Sequence, residues 1–252
     1  MPKQKIRKAV ITAAGRGSRI QELPLTRVLP KPMLPILNKP IIEHIIEKLI
    51  PLGVEQVYLI VGSKGQVIED YFDDGSDWGI KISYIEQLEP KGIAHAILQT
   101  RPYIDEPFMV VLGDDFSVTK SFENLLETFF EKEALAVTGV VNEENIESLR
   151  RTNCVQMDES GKILKTNEKP ENPDSKIRGC GVYVFHPKVF EYIERTPVSL
   201  KRGQKEITDT LHIMAREGRV YGTFIDGVNI NINTLQDLVS AMHYALRLHD
   251  GP

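Results

Sequence analysis

Hydrophobic and polar positions follow two patterns with different periods along the chain. Short continuous apolar runs predict buried strands, whereas apolar residues that recur every three or four positions predict amphipathic helices. In the first half, the runs predict strands over residues 9–14, 57–61, 81–85, 108–112 and 134–141. The stretches between them predict helices over residues 41–52, 66–72, 93–100 and 122–131. This alternation predicts an α/β fold with a doubly wound, mostly parallel central sheet and helices on both faces.

The second half of the chain has a different pattern. Residues 154–165 predict a β-hairpin with a turn at Ser160 and Gly161, and residues 181–185 predict a further strand. Further helices are predicted over 207–216 and 235–246, with Thr234 and Asp237 spaced as in a capping box. Residues 168–176, which include two prolines, form either an ordered loop or a domain boundary. Because the sequence has no linker, repeat or low-complexity tract, we expect a single domain over residues 1–252.

Composition and charge narrow the class of protein. The 252 residues are 41% hydrophobic and 26% charged, which excludes disordered, coiled-coil and collagen-like classes. With 31 basic and 35 acidic residues, the net charge of −4 gives no general argument for binding nucleic acid or a membrane. No apolar run reaches the roughly 18 residues that a membrane-spanning helix needs. The only cysteines are Cys154 and Cys180, and we expect two reduced thiols in a cytoplasmic protein.

A glycine-rich segment, Ala13-Ala-Gly-Arg-Gly-Ser-Arg19, follows the first predicted strand. Such a turn either brings backbone N–H groups close to phosphates or is an ordinary tight turn. Two common nucleotide motifs are absent from the sequence. Ile20 stands where a dinucleotide fingerprint needs its third glycine, and no Gly-Lys-Ser/Thr ending completes a P-loop. Hydride transfer and Walker-type hydrolysis are therefore disfavoured.

A proline-rich segment follows, with four prolines from Pro30 to Pro40. Because proline is excluded from helix interiors and central strands, we expect this segment to be extended and stiff. Arg19, Arg27 and Lys31 would then lie beside the glycine-rich segment, where three cations suit a polyphosphate. The alternative is a solvated basic loop.

These N-terminal motifs resemble those of the sugar-phosphate nucleotidyltransferases, in particular the glucose-1-phosphate thymidylyl- and uridylyltransferases. The matching segments are Gly15-Arg-Gly-Ser-Arg19, Pro24-Leu-Thr26, Pro30-Lys-Pro-Met-Leu-Pro35 and Lys39-Pro40. Residues 20–23 make the loop after Arg19 longer than in the family pattern. The resemblance covers essentially the whole chain and implies a Rossmann-like sheet. It also implies a nucleotide-binding part over about residues 1–150 and a smaller, β-rich sugar-phosphate-binding part over about residues 151–252.

The resemblance assigns the triphosphate to the glycine-rich segment and to two cations. The implied nucleotide-binding residues of that segment are Ala14, Gly15, Gly17 and Ser18. Arg19 would hold the β- and γ-phosphates as a catalytic residue, and Lys31 would neutralise charge that develops at the α-phosphate.

The segment Glu86-Gln-Leu-Glu-Pro-Lys-Gly-Ile-Ala-His-Ala96 resembles the family's base-recognition segment. By this resemblance Gln87 would hydrogen-bond a pyrimidine, since an amide offers both a donor and an acceptor. Gly92 would let the base lie against the backbone. Without the resemblance, Gln87 would be interpreted as a surface residue, and we expect His95 to be a packing or surface residue.

Asp114 and Asp115 follow the predicted strand over residues 108–112. Ligands bind beyond the carboxyl ends of parallel strands, and paired acids there commonly hold Mg²⁺, although an Asp-Asp pair is as often a turn. By resemblance Asp114 is a catalytic metal ligand, and Asp115 either ligates or stabilises the turn. Where family members often have a second acidic ligand, this chain has Asn231, a neutral ligand that is expected to bind the metal more weakly. Asp226 could compensate only if the chain turned unexpectedly.

Three further elements resemble the family's sugar-phosphate site. In Glu168-Lys-Pro170, the catalytic Lys169 would bind the phosphate of the sugar and Glu168 a sugar hydroxyl. Gly181 would lie beside the sugar, and Glu206 of Glu206-Ile-Thr-Asp209 would bind its hydroxyls. Taken singly, the charged residues among them could also be surface ion-pairing residues.

The activity implied is the condensation of a nucleoside triphosphate with a sugar 1-phosphate, giving a nucleoside diphosphate sugar and pyrophosphate, with Mg²⁺ as cofactor. The resemblance favours dTTP or UTP with glucose 1-phosphate. The alternatives are GTP with mannose 1-phosphate, CTP with an alcohol phosphate, a non-catalytic binding paralogue suggested by Asn231, and a dehydrogenase.

We expect no nucleic-acid or membrane partner, and a homo-oligomer is compatible with the family. Because no hexapeptide repeats follow the last predicted helix, the bifunctional acetyltransferase members are not expected to match.

Overall fold

The computed structural model describes residues 5–15, 20, 23–119 and 122–249. Its strands are β1 (Lys8–Ala13), β2 (Pro35–Ile36), β3 (Lys39–Pro40), β4 (Gln56–Val61), β5 (Lys81–Glu86), β6 (Phe108–Leu112), β7 (Asp115–Thr119), β8 (Ala136–Asn142), β9 (Asn153–Met157), β10 (Ile163–Glu168), β11 (Ile177–Phe185), β12 (Val220–Phe224) and β13 (Gly227–Asn231). Its α-helices are α1 (Ile41–Leu49), α2 (Gly65–Phe72), α3 (Ile93–Leu98), α4 (Glu123–Glu131), α5 (Ile146–Arg151), α6 (Val189–Arg195), α7 (Ile207–Glu217) and α8 (Leu235–His249).

Within the described residues, a central sheet of seven strands has the order β12-β8-β11-β6-β1-β4-β5. Strand β1 pairs in parallel with β4 and β6, β4 with β5, and β8 with β12. Only β11 runs antiparallel to its neighbours β6 and β8. The predicted mostly parallel α/β sheet is confirmed, and β11 inserts a strand from the second half of the chain among strands of the first.

Successive residues of a central strand enter two separate cores. In β1, Ala9 and Ile11 pack in a core that includes residues of α1, α2, α4 and α8, whereas Val10 packs in a core with α3, α6 and α7. This follows from the pleat of the strand, which sends neighbouring side chains to opposite faces. Because helices cover both faces, the central strands are continuous apolar runs.

Several elements were missed because their sequences do not form apolar runs. Strand β7 begins at Asp115 and pairs antiparallel with β13, and both strands carry buried polar residues such as Ser117 and Asn229. Strand β11 begins at Ile177 rather than at residue 181. Helix α1 ends at Leu49, because the next three residues, which include a proline, form a 3₁₀ turn.

The expectation of an extended proline-rich segment is wrong for its first part. Lys31–Met33 form a 3₁₀ turn in which proline takes an early position that needs no N–H donor. The remainder, β2 and β3, is a short antiparallel pair.

The predicted hairpin is confirmed as β9 and β10. Its turn is held by Asp158, whose Oδ1 accepts hydrogen bonds from the N–H groups of Ser160 and Lys162 at 2.9 and 3.0 Å. The loop after β10 is joined to the hairpin by Asp174, whose carboxylate accepts from Lys165 Nζ at 2.6 Å and from Cys154 Sγ at 3.2 Å.

The capping box before α8 is also confirmed, since Thr234 and Asp237 exchange backbone-to-side-chain hydrogen bonds at 2.7 and 3.2 Å. Cys154 and Cys180 are buried free thiols. No helix in the described parts of the chain combines the length and the apolar character needed to cross a bilayer.

Candidate active site

A cleft of about 430 Å³ opens beyond the carboxyl ends of β1 and β6. Eleven of the residues that the sequence assigned to the site line it: Ala14, Gly15, Lys31, Gln87, Gly92, Asp114, Glu168, Lys169, Gly181, Glu206 and Asn231. The other three, Gly17, Ser18 and Arg19, lie outside the described residues. Residues that are far apart in the sequence therefore share one cavity, at the edge of the sheet where α/β proteins bind ligands.

Lys31 lies in this cleft as a buried cation. Its Nζ donates hydrogen bonds to Asp114 Oδ2 at 2.6 Å and to Asn233 Oδ1 at 3.1 Å. The Lys31 side chain is only 7% exposed, so the alternative of a solvated basic loop is wrong for this residue. The first position of the 3₁₀ turn, between buried neighbours, holds the ammonium against the carboxylate.

Asp114 and Asn231 are brought together by the end of β13. The N–H of Ile232 donates to the carbonyl oxygen of Asp114 at 3.0 Å, and Asn231 Oδ1 accepts from Asn233 Nδ2. Asp226 is exposed between β12 and β13 and does not line the cleft, so it does not compensate for the neutral Asn231.

The oxygen donors at this position suit Mg²⁺ only in part. Among the described residues, no group of three or more His, Cys, Asp and Glu side chains is arranged to hold a metal ion. Asp114 and Asn231 offer one carboxylate and one amide oxygen to the cleft. Mg²⁺ is commonly held by one or two carboxylates together with phosphate oxygens of a substrate, so this set fits Mg²⁺ as part of a phosphate complex.

Asp115 is buried at the first position of β7 and lines the cleft. It is 4% exposed, and its carboxylate accepts from the N–H of Gly181 and from Asn229 Nδ2, the latter at 2.6 Å. Arg178 donates to Asn229 Oδ1 at 2.9 Å and to the Asn229 carbonyl at 2.8 Å. Burial raises the pKa of Asp115, and the nearby Arg178 opposes that rise. Asp115 therefore joins β7, β11 and β13 at the wall of the cleft.

At two positions of the site, contacts within the chain itself require a glycine. A Cβ on Gly181 would overlap the carboxylate of Asp115. Gly92 has a φ of +104°, and a Cβ there would collide with the backbone of Lys205. Both positions require glycine for close packing, whatever the ligand.

Gln87 is 7% exposed, so the alternative of an ordinary surface residue is wrong. It lies just beyond β5, where its N–H donates to the carbonyl of Val61 at 2.8 Å. Its side-chain Nε2 lies 3.1 Å from His95 Nδ1 on α3. Gln87 is therefore held through both its backbone and its side chain.

Near the end of β10 and the start of α7, Glu168, Lys169 and Glu206 line the cleft, and Arg202 lies behind them. Glu168 Oε2 accepts from Thr208 Oγ1 at 2.9 Å, and Lys169 Nζ lies 3.6 Å from Glu168 Oε1. Arg202 Nε donates to Glu206 Oε1 at 2.7 Å. Burial, and to a smaller extent the charge of Glu206, raises the pKa of Glu168. Glu168 and Glu206 are thus close, shielded carboxylates rather than surface ion-pairing residues.

Lys169 has a strained backbone, with a φ of +47° immediately before Pro170. Residues before proline prefer extended conformations, and a left-handed non-glycine residue costs on the order of 1–3 kcal/mol. The N–H of Lys169 donates to the Thr152 carbonyl at 2.8 Å, which helps to hold this conformation. Such strain at a residue that lines the cleft is consistent with a functional position.

Sequence reasoning missed Asn233, Arg178 and Arg202. Asn233 is two residues after Asn231, and this spacing was a usable signal for a second side chain near the same place. Arg178 lies in the part of β11 before residue 181, which the apolar pattern does not include in the predicted strand. Arg202 stands four residues before Glu206, and this spacing was a local signal for an ion pair.

The sequence matches the nucleotidyl transferase family over residues 8–246. It is similar to a UDP-glucose pyrophosphorylase whose crystal structure contains UDP-glucose, with a TM-score of 0.84 and 27% identity over 96% of this chain and 100% of that one. The chain therefore belongs to the nucleotidyl transferase family and is a sugar-phosphate nucleotidyltransferase.

Two curated relatives refine this comparison. The bifunctional protein GlmU of Methanocaldococcus jannaschii is 39% identical over 94% of this chain, which spans 54% of that protein. The UTP–glucose-1-phosphate uridylyltransferase AglF of Haloferax volcanii is 35% identical over 91% of this chain and 92% of its own length. The expectation that bifunctional members would not match is therefore wrong.

Proposed function

We propose that this chain transfers a nucleotidyl group from UTP or dTTP to glucose 1-phosphate, with Mg²⁺, and releases pyrophosphate. The observation that carries this proposal is the direct contact of Lys31 with Asp114 in a cleft that Gln87 and Lys169 also line. A cation beside a potential metal ligand suits a site where phosphate charge changes during reaction.

In the proposed reaction, an oxygen of the sugar phosphate attacks the α-phosphorus of the triphosphate. A new P–O bond forms there, and the bond from the α-phosphorus to the bridging oxygen breaks, so that pyrophosphate leaves with the electron pair. Because the attacking oxygen is already anionic, no general base is needed. Positioning and charge neutralisation then supply the rate.

The chain's own residues divide this work. Lys31 neutralises charge on the α-phosphate, and Arg19 with the glycine-rich segment holds the β- and γ-phosphates. Lys169 holds the phosphate of the sugar, while Glu168 and Glu206 accept hydrogen bonds from sugar hydroxyls. Asp114 and Asn231 would hold Mg²⁺, which when bound supplies further neutralisation of phosphate charge.

Pyrophosphate release tests the proposal. The protein is assayed with Mg²⁺, each of ATP, CTP, GTP, UTP and dTTP, and the 1-phosphates of glucose, mannose, galactose and N-acetylglucosamine. We expect release with UTP or dTTP and glucose 1-phosphate. Asp226→Asn serves as a control, because Asp226 is exposed and does not line the cleft.

The other possible results of this assay distinguish a change of substrate from a loss of catalysis. Release only with another pair retains the chemistry and overturns the substrates. No release from folded protein that binds a triphosphate favours the non-catalytic paralogue, for which the neutral Asn231 is the supporting observation. Activity gained by Asn231→Asp would then identify the missing charge as the cause.

A further inference from the structure

The side-chain amide nitrogen of Gln87 faces α3 and the glycine that precedes it. Its Nε2 lies 3.1 Å from His95 Nδ1 and 3.5 Å from the carbonyl oxygen of Gly92. Gln87 and Gly92 line the cleft, whereas His95 does not. The nitrogen of the amide is therefore engaged by neighbours within the chain, one of which, His95, lies behind the cleft wall.

The Gly92 carbonyl identifies which amide atom is the nitrogen. A carbonyl oxygen only accepts hydrogen bonds, so the atom that faces it must be the donor. His95 Nδ1 must then accept, and the imidazole carries its proton on Nε2. Gln99 Nε2, a second amide nitrogen, lies 3.4 Å from the same Nδ1, which agrees with an acceptor at that atom.

The charges around His95 favour this neutral form. Burial, and the cations Lys91 and Lys205 on two neighbouring loops, lower the pKa of His95, while Glu89 opposes them more weakly. The neutral ring keeps an acceptor lone pair on Nδ1.

The amide oxygen is the group that remains for a ligand. Among the described residues, no hydrogen-bond donor reaches Gln87 Oε1, and this atom is not one of the enclosed side-chain atoms that lack a partner. Oε1 is therefore an accessible acceptor at the wall of the cleft.

We propose that His95 is a positioning residue that fixes the amide of Gln87 with its oxygen toward the nucleotide base, and thereby selects uracil or thymine over cytosine. The inference rests on the proposed function, because it assigns the base-binding group of that site. Uracil and thymine carry a donor, N3–H, at the position where cytosine carries an acceptor lone pair. A fixed amide oxygen accepts a hydrogen bond from N3–H of uracil or thymine and repels the lone pair of cytosine. Rotating the amide to bind cytosine would break its hydrogen bonds to His95 and Gly92.

Three variants test the role of the imidazole through pyrophosphate release with UTP and with CTP. His95→Leu removes the acceptor and frees the amide to rotate. His95→Asn retains an acceptor near the position of Nδ1. Gln99→Ala removes the other donor to Nδ1, and Gln99 does not line the cleft.

For His95→Leu we expect KM for UTP to rise about tenfold with kcat nearly unchanged, and the UTP-to-CTP ratio of kcat/KM to fall about tenfold. His95→Asn and Gln99→Ala are expected to retain the original ratio. An unchanged ratio in His95→Leu, or the same loss in His95→Asn, overturns the proposal.

A nucleotide analogue tests the same contact in the unmodified protein, and does not depend on the folding of any variant. In 3-methyl-UTP the N3–H donor is replaced by a methyl group, so its affinity should be at least about tenfold below that of UTP. Equal affinity overturns the proposal. Calorimetric binding of UTP, CTP and 3-methyl-UTP gives this answer even if no pyrophosphate is released, so failure of the proposed function is distinguished from failure of this inference.

Discussion

Lys31 Nζ lies 2.6 Å from Asp114 Oδ2, although the two residues are 83 positions apart in the sequence. The contact joins the 3₁₀ turn of the proline-rich segment to the loop after β6. Each group compensates the charge of the other, and both line the cleft. A substrate phosphate and a metal ion would therefore enter a site whose opposite charges are already in place.

Replacing the ammonium group of Lys31 should reduce turnover strongly and stability only slightly. For Lys31→Met we expect turnover to fall by about 10²-fold or more, because charge on the phosphates is left without this cation. Asp114 is 33% exposed and remains hydrated, so the free energy of unfolding should fall by less than about 1 kcal/mol. Steady-state pyrophosphate release and urea unfolding measure the two effects. Lys39→Met, which removes a lysine outside the cleft, should leave turnover intact, and wild-type turnover in Lys31→Met would contradict the assigned role.

A carboxylate at position 231 should strengthen metal binding. In Asn231→Asp the added charge lies next to Asp114, so the Mg²⁺ concentration at half-maximal rate should fall several-fold. A titration of initial rate against Mg²⁺ measures this change, with Asp226→Asn as a control for loss of an exposed acid. An unchanged Mg²⁺ requirement would mean that the side chain at 231 does not contribute to the metal site.

The ionisation of Glu168 should lower the free energy of unfolding at neutral pH. Burial and Glu206 raise the pKa of Glu168 above its ordinary 4.5, so the folded state holds this proton more tightly than the unfolded state. Ionisation of Glu168 therefore opposes folding, and its effect grows as the pH rises from 4.5 through the raised pKa.

Glu168→Gln, which preserves shape, should accordingly raise the free energy of unfolding at pH 7 and lose this advantage toward pH 4.5. The same change should raise KM for the sugar phosphate by about tenfold, since the amide is a weaker acceptor for hydroxyl groups. Urea unfolding at several pH values and steady-state kinetics are the measurements. A gain that is equal at pH 7 and pH 4.5 would exclude an electrostatic origin.

The buried polar cluster beside the metal position should be energetically coupled. Removing the guanidinium in Arg178→Met leaves the carboxylate of Asp115 uncompensated and should cost about 3 kcal/mol of unfolding free energy. Asp115→Asn in that background should restore part of the loss, because the buried carboxylate is then removed, while Glu143, the other acid near Arg178, is unchanged. A double-mutant cycle by urea unfolding measures the coupling, and a value below about 0.5 kcal/mol would show that the two residues act independently.

The sequence alone predicted the order of most strands and helices and eleven of the residues that line the cleft. Continuous apolar runs predicted β1, β4, β6 and β8 because both faces of this sheet are buried. Motif order identified Lys31, Asp114 and Lys169 through a resemblance, since each is ordinary when taken singly. The polar strands β7 and β13 carried no such pattern and were missed.

What the tertiary structure decided was which polar groups meet, and what each one faces. Asp114 and Asp115 are neighbours with similar chemistry, yet Asp114 contacts Lys31 in the cleft and Asp115 is enclosed with Asn229 and Gly181. The orientation of the Gln87 amide was likewise undetermined until α3 supplied His95. Local sequence determines periodicity, because burial of a strand or helix face is a local average. Contacts between distant polar side chains depend on how the strands pair, and that pairing exists only in the folded chain.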